Sequence, residues 1–215
     1  MCFKSKLKKL LISKAPVKQN VNMRKKDIEL LSPAGSFESL QAAIQAGADA
    51  VYFGVEQLNM RAKSINSFSV SDLKEIKTIC SAHHVKAYLT LNTVMYEHDM
   101  QLLRRILKEV KKQGIDAVIA SDFAVLELCK ELGIPLHIST QANVSNIESL
   151  KFFAAFSDTI VLARELTLKQ VKQITDEVIR KKIKGVSGEL MKTEIFVHGA
   201  LCMAISGKCY LSLHS

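Results

Sequence analysis

Two hydrophobic periods alternate along the chain from residue 27 onward. Short apolar, β-branched runs recur at 28–32, 50–54, 86–92, 117–121, 136–140, 159–163 and 194–199. Their apolar residues run on without alternating, which predicts strands buried on both faces. Segments with helical spacing lie between them: Phe37, Leu40, Ala43 and Ile44 in 36–46; Leu73, Ile76, Ile79 and Cys80 in 71–82; Leu103, Ile106, Leu107 and Val110 in 100–113. In 167–179 the stripe is Leu168, Val171, Ile174 and Val178, opened by a capping box of Thr167 and Gln170. Gly47, Gly114 and Gly133 stand where a helix-terminating residue belongs.

Strand, helix, strand, repeated about every 25 residues, predicts βαβ units and a parallel α/β sheet. Doubly wound sheets and (β/α)8 TIM-type barrels both fit. The barrel is favoured because seven units repeat without a switch point or a Gly-rich phosphate turn. Such a barrel has eight strands in about 250 residues, so the expectation is an incomplete one, ending after strand 7 with open edges. The expected organisation is a basic tail at 1–26 and a C-terminally truncated barrel domain at 27–215. The irregular connection expected to be longest is 180–193.

Charge changes this picture only at one end. The formal net charge is +9, yet residues 1–26 hold nine Lys/Arg and no acid, so the rest is neutral. Such a block reads as a solvated tail, with phosphate binding as the alternative, and Met23 is an alternative start. No apolar stretch is long enough for a membrane span. The cysteines (Cys2, Cys80, Cys129, Cys202, Cys209) are odd in number, scattered and without a CxxC pair. That is no disulfide framework and points to a reducing, cytoplasmic setting.

In parallel α/β folds the chemistry gathers at the C-terminal strand ends. There the sequence places Ser32–Gly35, Gly54 with Asn59 and Arg61, Asn92, Ser121–Asp122, Gln141, Asn143, Arg164, Glu165 and His198 with Cys202 and Cys209. This polar rim suits a polar or anionic ligand, with Arg61 and Arg164 as phosphate or carboxylate contacts. Turn formation and helix capping are the competing readings for Ser32, Asp122 and Thr167, and local ion pairing for Arg164–Glu165. Cys80 and Cys129 lie on apolar helix stripes and read as core. His198 is the candidate general base, or else a ring bonded beneath the Cys loop. No GxSxG, HExxH, P-loop or GxGxxG motif is present.

Residues 194–212, EIFVHGALCMAISGKCYLS, carry the remaining signal. The run resembles the signature of the peptidase U32 (collagenase-like protease) family at Glu194, Phe196, Gly199, Ala200, Leu201, Cys202, Gly207, Cys209, Leu211 and Ser212. The stretches 29–54, 139–146 and 163–168 are similar to the family's opening unit and later strand ends. The resemblance implies either a peptidase or an RNA- or quinone-modifying hydroxylase with an iron–sulfur cluster. The wording FVHGALCMA…SG.C is most similar to the prephenate-dependent tRNA uridine hydroxylases, which implies hydroxylation of a tRNA wobble uridine. Arg61 also falls where that branch has a basic residue.

On that resemblance Cys202 and Cys209 are two of the four ligands of a 4Fe–4S cluster. Thiolates seven apart just past a strand end suit such a cluster; zinc and plain packing are the alternatives. The other two family cysteines come downstream of the signature, so residues 1–215 are expected to form a half-built site. Completion by a longer chain or a partner U32 subunit follows, as does a third possibility, a non-catalytic truncated subunit. Substrate contacts are expected from Arg61, Asn92, Gln141, Asn143, Arg164 and Glu165.

Overall fold

The computed structural model describes residues 28–56, 58, 68–199 and 204–208. The basic tail expected at 1–26 lies outside them.

Each predicted unit forms. Strands β1 (Leu31–Pro33), β2 (Ala50–Gly54), β3 (Lys86–Leu91), β4 (Ala117–Ala120), β5 (Leu136–Ile138), β6 (Thr159–Val161) and β7 (Lys192–Glu194) alternate with helices. The helices are α1 (Phe37–Gln45), α2 (Leu73–Ala82), α3 (Met100–Gln113), α4 (Phe123–Leu132), α5 (Ile147–Phe153) and α6 (Leu168–Lys181). All strand pairs are parallel and the order is sequential, β1 to β7, with β1 and β7 as the two edges. Sequential parallel order without a reversal is barrel topology, and the sheet curls into an incomplete (β/α) barrel.

The two faces of the sheet differ. Val51, Phe53, Leu89, Val118, Ile138 and Ile160 point outward and share one buried cluster with the helix stripes. In α3 the four stripe residues Leu103, Ile106, Leu107 and Val110 are fully buried, while Arg104, Arg105 and Lys108 occupy the opposite face. Alternate strand positions face the concave side, where Ala50, Tyr88, Ala117 and Ile119 form a smaller cluster with Leu31 and Tyr52. That side also carries charge. Tyr88 Oη donates to Glu29 Oε1 (2.6 Å), and Lys86 pairs with the second oxygen of the same carboxylate.

Helix ends follow the expected chemistry. Thr167 and Gln170 form the capping box of α6, and Gly114 and Gly133 adopt left-handed conformations after α3 and α4. Asp122 accepts from Ala124 N (2.9 Å) as the cap of α4 and from Met95 N (3.0 Å) in the loop after β3.

Two expectations are corrected. The seventh strand spans 192–194, not 194–199, and Ile195, Phe196 and Val197 beyond it are exposed. The cause is the loss of a ladder partner: Leu162 N still donates to Glu194 O (2.9 Å), but Ala163 N turns away to Val144 O. The connection 180–193 is also less irregular than expected. Its first residues extend α6, Lys184 and Leu190 form an antiparallel bridge, and Asp158 Oδ1 accepts from both the N–H and hydroxyl of Ser187.

Candidate functional site

Four of the rim residues converge on one short segment. After β5, Ser139 accepts from Gln141 N (3.3 Å), a 3-10 turn covers Thr140–Ala142, and Asn143 follows with φ +50. After β6 come Arg164 and Glu165. Against these two strand ends sits the turn 204–208, closed by Lys208 N donating to Ile205 O (3.0 Å).

The contacts are specific. Ser206 is fully buried. Its backbone N–H donates to Glu165 Oε1 (2.6 Å), and its hydroxyl oxygen accepts from Arg164 N (3.3 Å). Gly207 has φ +77, and a Cβ there would stand 2.3 Å from the Gln141 carbonyl oxygen and 3.6 Å from Asn143 Cβ. Only glycine tolerates both conditions together. Glu165 is partly desolvated, which pushes its carboxyl up. The Ser206 N–H, its own backbone, the Ser206 hydroxyl and Arg164 prevail and hold it below the usual range.

Of the other predicted residues, Asn92 lies just past β3 and is half-buried, and His198 is exposed beyond β7. Arg61, Cys202 and Cys209 lie outside the described residues. Cys80 and Cys129 are completely buried in the helix–sheet layer. Burial drives their thiols up to about 11 and about 12, with a further push on Cys80 from Asp116 that Lys77 opposes.

The strand periodicity held one feature the rim reading passed over. His137, at the centre of β5, faces the concave side. Its ring lies 4.6 Å from that of Tyr88, and its buried Nδ1 stands 3.7 Å from Glu194 Oε2, beyond hydrogen-bond reach. A polar residue at an inward position of an otherwise apolar strand is the signal that marks it. Ser206 lay inside the signature, but nothing in its spacing revealed that Glu165, distant in sequence, would hold it.

Among the described residues no group of three or more His, Cys, Asp or Glu side chains is placed to hold a metal ion. No helix among the described residues is long and apolar enough to cross a membrane.

Comparison with known proteins gives a consistent relationship. The chain is 52% identical over 91% of its length to a protein named collagenase from Porphyromonas gingivalis, covering 46% of that protein. It is 37% identical to a 23S rRNA 5-hydroxycytidine synthase and 37% identical to tRNA hydroxylation protein P, both of Escherichia coli. Each match covers 86% of this chain but only 26% and 39% of those proteins. The chain thus spans about half, or less, of the curated relatives it matches. Among solved structures, a U32 peptidase superposes with TM-score 0.59 at 15% identity, over 70% of this chain and 65% of that one. Tryptophan synthase subunit alpha of Legionella pneumophila superposes with TM-score 0.50 at 14% identity, over 79% and 72%. Both share the barrel-type fold. The model of peptidase family U32 matches residues 35–215, from the first helix turn through the cysteine signature, and the chain belongs to that family.

Proposed function

We propose that this chain carries the barrel portion of an RNA-modifying hydroxylase acting on a tRNA wobble uridine, with a 4Fe–4S cluster bound in part by Cys202 and Cys209. The observation that carries this reading is the anchored turn. Ser206, between the two cysteines in sequence, is buried against the C-terminal ends of β5 and β6. That turn lies at the end of the barrel where such folds assemble their chemistry.

When bound, the cluster supplies one-electron redox chemistry. The chain's own residues do the rest: Arg61 and Arg164 as phosphate contacts, Asn92 as a base-edge or sugar contact, and His198 as a proton acceptor facing solvent. Cys80 and Cys129 are too deeply packed to serve, so this reading takes the two further ligands from outside residues 1–215, in a longer chain or a partner subunit. The hydroxylase relatives support the RNA reading.

A second reading, peptide-bond hydrolysis on the same rim, is favoured by the 52% identity to the Porphyromonas gingivalis collagenase. One experiment separates them. tRNA binding is measured against salt with residues 1–26 deleted, beside gelatin hydrolysis with and without chelator. Binding that keeps a steep salt slope without the tail supports hydroxylation. Chelator-resistant gelatin cleavage with no tRNA binding supports the peptidase.

A further inference from the structure

The concave side of the sheet holds one polar arrangement that neither proposed activity uses. We propose that His137 and Glu194 form a carboxylate–imidazole pair there. The pair makes Nε2 of His137 a proton-accepting position for a small ligand that offers an O–H or N–H group. It depends on neither proposed activity and on no residue of the 204–208 turn.

His137 sits at the middle of β5, in register with Ile119 of β4 and Thr159 of β6, and Glu194 closes β7. Nδ1 of the ring is sealed from solvent without a hydrogen-bond partner, the single side-chain nitrogen or oxygen in that condition among the described residues. It faces Glu194 Oε2 at 3.7 Å, about half an ångström outside bonding range. A bare Nδ1 would set its lone pair against a carboxylate in a sealed place, two acceptors with no proton between them. A proton on Nδ1 removes that conflict and gives Glu194 a donor. The bond made by one ring nitrogen fixes the state of the other, so the neutral ring carries its free lone pair on Nε2. The side chain keeps 13% of its surface exposed, and Nε2 is not sealed as Nδ1 is.

The neighbours leave this pair intact. Tyr88, whose ring lies 4.6 Å from the imidazole, directs its hydroxyl to Glu29, and Lys86 pairs with that same carboxylate. Burial, the Glu29 bond and the charges of Glu29, Asp116 and Glu194 push the Tyr88 phenol up, so it stays a neutral donor. A ligand O–H or N–H that reaches Nε2 donates a hydrogen bond there. When its proton crosses, the O–H or N–H bond breaks and the electron pair stays on the ligand as an anion. The imidazolium so formed is held at Nδ1–H by the Glu194 carboxylate.

The test is nitrogen NMR of the imidazoles in the 1–215 chain, with the His137 signals assigned by their loss in His137→Gln. At the alkaline end of the titration the neutral ring should hold its proton on Nδ1 over Nε2 by roughly tenfold or more. Glu194→Ala should move that proton to Nε2. Diethyl pyrocarbonate probes the free lone pair, with the modified atom located by mass spectrometry and NMR and folding checked by melting temperature. It should acylate His137 at Nε2 in the native protein, and several-fold more slowly in Glu194→Ala. An Nε2–H ring in the wild type would overturn the pair, as would an unchanged tautomer in a folded Glu194→Ala. A His137 inert to the reagent in the native protein would overturn the open Nε2. Should Glu194→Ala not fold, the wild-type tautomer decides alone.

Discussion

The Glu165 carboxylate accepts the backbone N–H of Ser206 at 2.6 Å, across 41 positions of sequence. This bond joins the loop after β6 to the turn between Cys202 and Cys209. It turns a stretch of signature into a docked element of the barrel rim.

Gly207→Ala tests the same docking at its contact with the turn after β5. The substitution meets both a left-handed φ, costing about 1–2 kcal/mol, and a clash with the Gln141 carbonyl. The expected outcome is local: amide protection of 205–208 falls, while the global melting temperature moves by no more than about 2 °C. A wild-type exchange pattern in Gly207→Ala would contradict the placement of the turn.

The helix–sheet layer should dominate global stability. Leu107, fully buried on α3, should lose about 2–5 kcal/mol on truncation to Ala, read as a lower urea midpoint at unchanged slope. By contrast Thr167→Ala removes only the capping box of α6 and should cost about 1 kcal/mol.

Acid sensitivity should centre on Glu29. Burial pushes its carboxyl up, but hydrogen bonds from Lys86 and Tyr88, with the Lys86 charge and a smaller effect of His137, prevail and hold it below the ordinary 4.5. A depressed folded-state value means the stabilisation is fully present above about pH 4.5 and is lost as pH falls through the lower folded value. Melting temperatures of wild type and Glu29→Gln, measured from pH 3 to 7, should therefore differ most near neutrality and converge in acid. A constant offset at every pH would reject this role.

Cys80 and Cys129 should resist alkylation at pH 8 in the native chain, because burial raises both thiols to about 11 and about 12 and neither is accessible. Iodoacetamide labelling followed by mass spectrometry checks this. Labelling of either at the rate of an exposed thiol would contradict the packing of α2 or α4.

Much of this fold is legible in the sequence. Helix stripes such as Leu103–Ile106–Leu107–Val110 and the box Thr167–Gln170 are local patterns, and the elements followed them closely. The seventh strand was misplaced because the apolar run at 194–199 reads as a strand in isolation. Its extent depends on whether β6 continues beside it, and Ala163 turns away to Val144. The rim residues were legible as a set, since strand ends converge in any parallel barrel. What they touch was not, because the Glu165–Ser206 and Gln141–Gly207 contacts are long-range and carry no periodic trace. His137 was visible in the strand but stood out only once the concave face gave it Tyr88 and Glu194 as neighbours.

The most direct measurement is anaerobic iron and acid-labile sulfide analysis of the purified chain, beside a version extended through its reading frame and the Cys202→Ser form of each. Iron and sulfide near four each in the extended version, lost on Cys202→Ser, is the predicted result for a 4Fe–4S centre. Absence of both from every version would contradict the hydroxylase reading and leave peptide hydrolysis as the activity to assay.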